Sequence, residues 1–81
     1  MEKALMAGRP RTLMQAHEVL VRIRPVRDAS LPVWLEYYRR SAALYTEIAQ
    51  VDPGHDGEAM YWAQREGRRA EELAARLSLR R

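Results

Sequence analysis

Cysteine is missing from the chain. Its absence excludes a disulfide scaffold, a thiolate metal site and a cysteine nucleophile together. Phenylalanine and asparagine are missing as well, and Lys3 is the single lysine beside thirteen arginines. No apolar run approaches the roughly 20 residues that a membrane-crossing helix needs. Glycine and proline number only 4 each, too few for a collagen-like or low-complexity chain. The opening Met1-Glu2-Lys3-Ala4-Leu5-Met6-Ala7-Gly8 reads as too short and too broken for a secretory signal. Together these absences lead to the expectation of a cytoplasmic protein. What is present suits one small core. The chain has 81 residues, 47% of them hydrophobic and 31% charged, in a size range where a domain buries only roughly 60–65% of its unfolded surface.

The net charge is +3, and it is unevenly placed. Residues 1–27 carry a net +4, residues 28–66 a net −4 and residues 67–81 a net +3. Segments of alternating sign neutralise one another when packed side by side, or they leave a basic edge for a partner. A preference for arginine and alanine over lysine and asparagine is also what GC-rich coding writes irrespective of function. Both readings stay open at this level.

The apolar period is helical throughout, and β-branched residues are few and scattered, so no strand is expected. Helices are predicted over residues 12–24, 31–51 and 57–78. Thr12 caps the first, whose apolar face carries Leu13, Ala16, His17, Leu20 and Ile23, and Pro25 stops it. Ser30 opens the second, with Pro32 in its first turn, where amide donors have no helical partner. Trp34, Tyr37, Tyr38, Ser41, Leu44, Tyr45 and Ile48 share its inner face. Val51-Asp52-Pro53-Gly54-His55-Asp56 is rich in turn formers, and either Asp52 or Asp56 is placed to cap the third helix. That helix turns Ala59, Trp62, Ala63, Glu66, Ala70, Leu73, Ala74 and Leu77 to one side, and Gly67 suggests a close helix crossing. Three amphipathic helices with short connections predict an all-α, antiparallel three-helix bundle formed by a single domain over 1–81. Residues 1–10 would form a flexible N-terminal arm. Leu13, Leu20, Trp34, Tyr45, Ile48, Trp62 and Leu73 are the expected core.

Val51-Asp52-Pro53-Gly54-His55 followed by Glu58-Ala59-Met60-Tyr61-Trp62-Ala63 resembles a junction between tetratricopeptide-type helices, although the chain has no internal 34-residue repeat. Those residues taken with Arg11-Thr12-Leu13, Ala16-His17, Val19-Leu20, Arg22-Ile23 and Val33-Trp34-Leu35 resemble a family of short, uncharacterised actinobacterial helical proteins. That resemblance spans roughly residues 11–77. It implies a bacterial cytosolic setting and no particular chemistry.

The residues offer little for catalysis. His17-Glu18 does not continue to a second helical histidine, and no phosphate loop or serine elbow is present. His55, Asp56 and Glu58 read as a solvated helix entry rather than a metal site, because a carboxylate suits the positive end of a helix. Neither a cofactor nor a small-molecule substrate is expected. His17 and Glu66 are polar residues on apolar faces and form a candidate polar core pair. A buried Glu66 is expected to pair with His17, with the hydroxyl of Tyr38 or Tyr45, or with an inward-reaching arginine, and to bond a side chain of another helix, since an unpaired buried carboxylate is costly. Arg65, Arg69 and Arg76 fall along one side of the third helix as candidate phosphate contacts. Glu71 and Glu72 interrupt that stripe, and Gln64 is the helix's only amide, which argues against base readout. Leu35, Met60, Tyr61 and Met14 lie off the core stripes and form a candidate partner-binding set. The resulting expectation is a non-enzymatic protein–protein interaction module whose partner is another protein or a second copy of itself. Its alternative is a small regulator making electrostatic nucleic-acid contacts through an arginine-rich edge.

Overall fold

The computed structural model describes residues 9–79. It contains three helices and, among the described residues, no strand: α1 (Leu13–Ile23), α2 (Leu31–Val51) and α3 (Asp56–Leu79). The 21 residues of α2 and the 24 of α3 make a long helical hairpin. Tyr45 stacks on Trp62 near the turn, and Arg69 lies over Tyr38 towards the other end, so the two helices run antiparallel. The 11-residue α1 lies along this hairpin. Its start meets Asp52 at the turn, and its Leu20 carbonyl accepts a hydrogen bond from Tyr37, which orients it antiparallel to α2. The protein is an all-α three-helix bundle in which one helix is about half the length of the others.

Each terminus has a local cause. Thr12 adopts extended backbone, and its hydroxyl accepts from the Gln15 N–H, which supplies one of the four unpaired donors of a helix start. Pro25 stands two residues past the last residue of α1 and cannot continue it. Ser30 precedes α2, and Pro32 occupies its first turn. At the hairpin turn the His55 N–H bonds the Asp52 carbonyl, with Pro53 and Gly54 between them. Gly54 has φ +92°, the conformation that the third position of a type II turn requires and that glycine tolerates.

The core is a single cluster. Leu13, Ala16 and Leu20 of α1 meet Tyr37, Tyr45 and Ile48 of α2 and Ala59 and Ala63 of α3. Along α3 the buried seam is Ala59, Ala63, Glu66 and Ala70. Such small side chains, facing the fully buried Ser41 of α2, let the two long backbones approach closely. The Ser41 hydroxyl is satisfied within its own helix by donating to the Tyr37 carbonyl.

Three expected core residues are less enclosed than their helical faces suggest. Trp34, Trp62 and Leu73 are each only partly buried. For Trp34 and Leu73 the cause is the shortness of α1, which leaves one side of the hairpin uncovered past Ile23. Trp62 instead lies beside α1 at the turn end, packed on His17 and Tyr45 with the Arg65 guanidinium over its ring. Gly67 also differs from expectation. A Cβ built there meets nothing within 4 Å, so it marks no close crossing. Gly67→Ala should therefore raise stability by about 0.5–1 kcal/mol, the usual cost of glycine inside a helix. Chemical denaturation would show this as a higher midpoint with an unchanged slope.

The expected N-terminal arm of residues 1–10 falls largely outside the described residues, as do Arg80 and Arg81. Its end is held, because Arg9 forms a two-oxygen ion pair with Glu47 of α2 at 2.9 and 3.0 Å. No described helix is long and apolar enough to cross a membrane.

Candidate functional site: an arginine-rimmed groove past the end of α1

Beyond Ile23, α1 gives way to a loop, and the hairpin continues without a third helix over it. A groove of about 670 Å³ occupies that place. Its floor is apolar and comes from both long helices: Leu31, Trp34 and Tyr38 from α2, and Leu73 and Ala75 from α3. Trp34, Tyr37 and Tyr38 pack ring against ring, with centroids 5.6–5.7 Å apart. The floor thus sets the packed rings of Trp34 and Tyr38 beside the aliphatic Leu31, Leu73 and Ala75.

Charge surrounds this floor. Arg24, Arg69 and Arg76 line the groove with one acid, Glu72. Two elements bring them together: Arg24 is the C-cap of α1, while Arg69 and Arg76 stand two turns apart on α3. The Arg24 guanidinium lies 5.3 Å from the Trp34 ring centroid, and that of Arg69 lies 6.0 Å from Tyr38. Cation–π attraction holds both heads above the floor. Arg69 also approaches Glu72 at 3.8 Å. Among the described residues no carboxylate lies within ion-pair distance of Arg24 or Arg76.

Of the three candidate phosphate contacts, Arg69 and Arg76 therefore share this groove. Arg65 does not line it. Its guanidinium bonds Glu66 at 3.0 Å and lies 5.3 Å from the Trp62 ring centroid. This pairing corrects the expectation for Glu66, which is buried but takes its bond from the neighbouring residue of its own helix rather than from another helix. An arginine laid across the adjacent tryptophan reaches the carboxylate without crossing the bundle. His17 is not paired with Glu66 either. Its Nδ1 shares a 2.7 Å hydrogen bond with the Tyr45 hydroxyl, and its ring meets Tyr45 and Trp62 edge-on at 5.4 Å. The two polar residues occupy the core as separate contacts. Burial raises the Tyr45 hydroxyl to about 12, with the Glu66 charge adding to the effect. Burial likewise raises Tyr37.

Leu35, Met60, Tyr61 and Met14 do not form one patch. Leu35 is partly buried near the start of α2, next to the groove end of the hairpin. Met60 and Tyr61 stand in the first turns of α3, at the opposite end, and are exposed. Met14 is exposed at 73% and lines a smaller hollow of about 390 Å³ with His17, His55 and Glu58 at that same turn end.

The turn also shows a role that the sequence did not disclose. Asp52 caps neither α2 nor α3 with its side chain. Its Oδ2 accepts from the Leu13 N–H at 2.8 Å and lies 3.2 Å from His55. The Leu13 N–H holds the Asp52 carboxyl below its usual range, and His55 adds to this. Asp56 begins α3, with Glu58 in its first turn. Among the described residues no group of three His, Asp or Glu side chains is placed to hold a metal ion.

The fold and groove define a small helical bundle with an exposed, cationic, apolar-floored recess. Comparison of the chain with family models, curated proteins and solved structures finds no match.

Proposed function

We propose that this chain is a non-enzymatic protein-interaction module, a small accessory or regulatory protein of the bacterial cytoplasm, that receives another protein at the open end of its hairpin. The observation that carries this reading is the groove. It combines a partly exposed aromatic floor with two guanidiniums, of Arg24 and Arg76, that have no anionic partner among the described residues. Aromatic and arginine side chains are the types that dominate binding energy at protein interfaces. A groove open along its length encloses a small molecule poorly but suits a ridge of side chains from a partner.

The arginines also support the alternative, phosphate contact with nucleic acid. The apolar floor weighs against it, because a phosphate backbone presents nothing to cover Trp34 and Leu73.

The test is capture from the native cell followed by mass measurement of the intact complex. Wild-type bait should retain a defined protein that Arg24→Glu/Arg76→Glu bait loses, while Met60→Glu bait retains it. Equal retention by all three baits would remove the groove from the account. A protein lost only by the Met60→Glu bait would move the interaction to the turn end. Retention of nucleic acid alone, lost in moderate salt, would favour the alternative.

A further inference from the structure

Resting on the interaction-module reading, we propose that the occupant of the groove is an amphipathic helix from another protein whose apolar stripe is flanked by carboxylates. Shape and charge support this.

The shape is that of a missing helix. Elsewhere α1 covers the hairpin, packed chiefly on α2 and reaching α3 through His17 against Trp62. At the groove it contributes only Arg24, and the floor belongs to the two long helices. A helix laid there would complete the bundle, presenting apolar residues three and four apart to Trp34 and Leu73. The span from Arg69 to Arg76 is about 10 Å of helix, so the contact covers about two turns of the incoming segment.

The charge is complementary to carboxylates. Three guanidiniums and one carboxylate leave the groove net positive. Arg24 and Arg76 have no acid within reach among the described residues. They stand on opposite elements, α1's end and α3, so a helix between them would meet one cation on each edge of its stripe. Guanidiniums bind carboxylates through paired donors.

Within the chain, three exposed carboxylates already have arginine partners: Glu36 approaches Arg40 at 3.9 Å, Glu47 is paired with Arg9, and Glu72 approaches Arg69. Glu18, Glu58 and Glu71 have none among the described residues, so a second copy is the competing occupant that the oligomeric state tests.

The experiment uses the full chain carrying Trp62→Phe, which leaves Trp34 as the only tryptophan and hence a fluorescent reporter in the groove floor. The probe is a synthetic helix of about 18 residues, above the length at which isolated helices become marginal. It carries a leucine–alanine stripe with glutamates along both edges, and a matched peptide has glutamine in place of every glutamate. The glutamate peptide should change Trp34 fluorescence saturably. The glutamine peptide should bind about tenfold or more weakly, as should the glutamate peptide to Arg24→Glu/Arg76→Glu, with helical circular dichroism unchanged. Arg24→Gln/Arg76→Gln serves as a second variant if charge reversal disturbs folding, and should show a smaller loss of the same sign.

Equal binding of the two peptides would overturn the requirement for carboxylates. No binding of either peptide, while native capture still depends on Arg24 and Arg76, would overturn the acidic helix and leave the interaction-module reading standing. A wild-type dimer that the double arginine variant abolishes would assign the groove to a second copy. Duplex DNA binding with a salt dependence that the same variant reduces would assign it to nucleic acid. Either of these results would overturn the proposal.

Discussion

Ile48→Ala should lower the free energy of unfolding by about 2–5 kcal/mol. Ile48 is wholly excluded from solvent and is the largest side chain so enclosed among the described residues. It belongs to the cluster in which all three helices meet, so its loss opens a cavity that no single helix can close by shifting. Domains hold roughly 0.05–0.15 kcal/mol of stability per residue, which for this length is roughly 4–12 kcal/mol in total. The substitution therefore removes a large share of it. Urea denaturation followed by helical circular dichroism measures the change. Ile48→Val, which removes one methylene, should cost about 0.5–1.5 kcal/mol on the same assay. A cost below about 1 kcal/mol for the alanine variant would mean that the three helices do not share one core at this residue.

The second large effect is alkaline destabilisation. A tyrosine in the unfolded chain ionises near pH 10. In the folded protein the Tyr45 hydroxyl holds its proton to about 12, because burial disfavours the anion and Glu66 adds repulsion. The folded state thus binds the proton more tightly than the unfolded state does. The corresponding stability is fully present below pH 10 and is lost as the pH rises through 12, by about 3 kcal/mol for a shift of this size. Tyr37, shifted in the same direction by its own burial, steepens the loss. Unfolding free energies measured between pH 8 and 12 should fall across the upper half of that range, and Tyr45→Phe should flatten the fall. A wild-type profile that stays level to pH 11.5 would contradict the buried, His17-bonded geometry of this hydroxyl.

Much of the bundle is legible in the periodicity. The helical spacing from Leu13 to Ile23, Pro25 after it, and the Pro53–Gly54 turn place all three helices. A face says which residues point inward but not whether anything covers them. Trp34 and Leu73 lie on inner faces and yet stay partly open, because α1 has too few residues to follow the hairpin to its end, whereas Trp62 stays partly open beside α1 itself, where it meets His17. That same shortfall creates the groove, so the candidate site was visible only in pieces. The Arg69–Arg76 stripe can be read along one helix. Its meeting with Arg24, 45 or more residues away in sequence, cannot. The same limit applies to Asp52, whose bond to Leu13 spans 39 positions. It applies also to Glu66, where an inward-facing carboxylate suggests a partner across the bundle and an adjacent arginine, folded over Trp62, supplies it instead.

The central claim is that partners dock past the end of α1, and amide chemical-shift mapping of the labelled full chain tests it most directly. On addition of the glutamate-edged helix, or of the protein captured from the native cell, the shifted amides should cluster within residues 31–38 of α2 and 69–76 of α3. The region around Met14, Met60 and Tyr61 should stay unmoved. Shifts concentrated at that turn end, with residues 31–38 and 69–76 unchanged, would contradict the account.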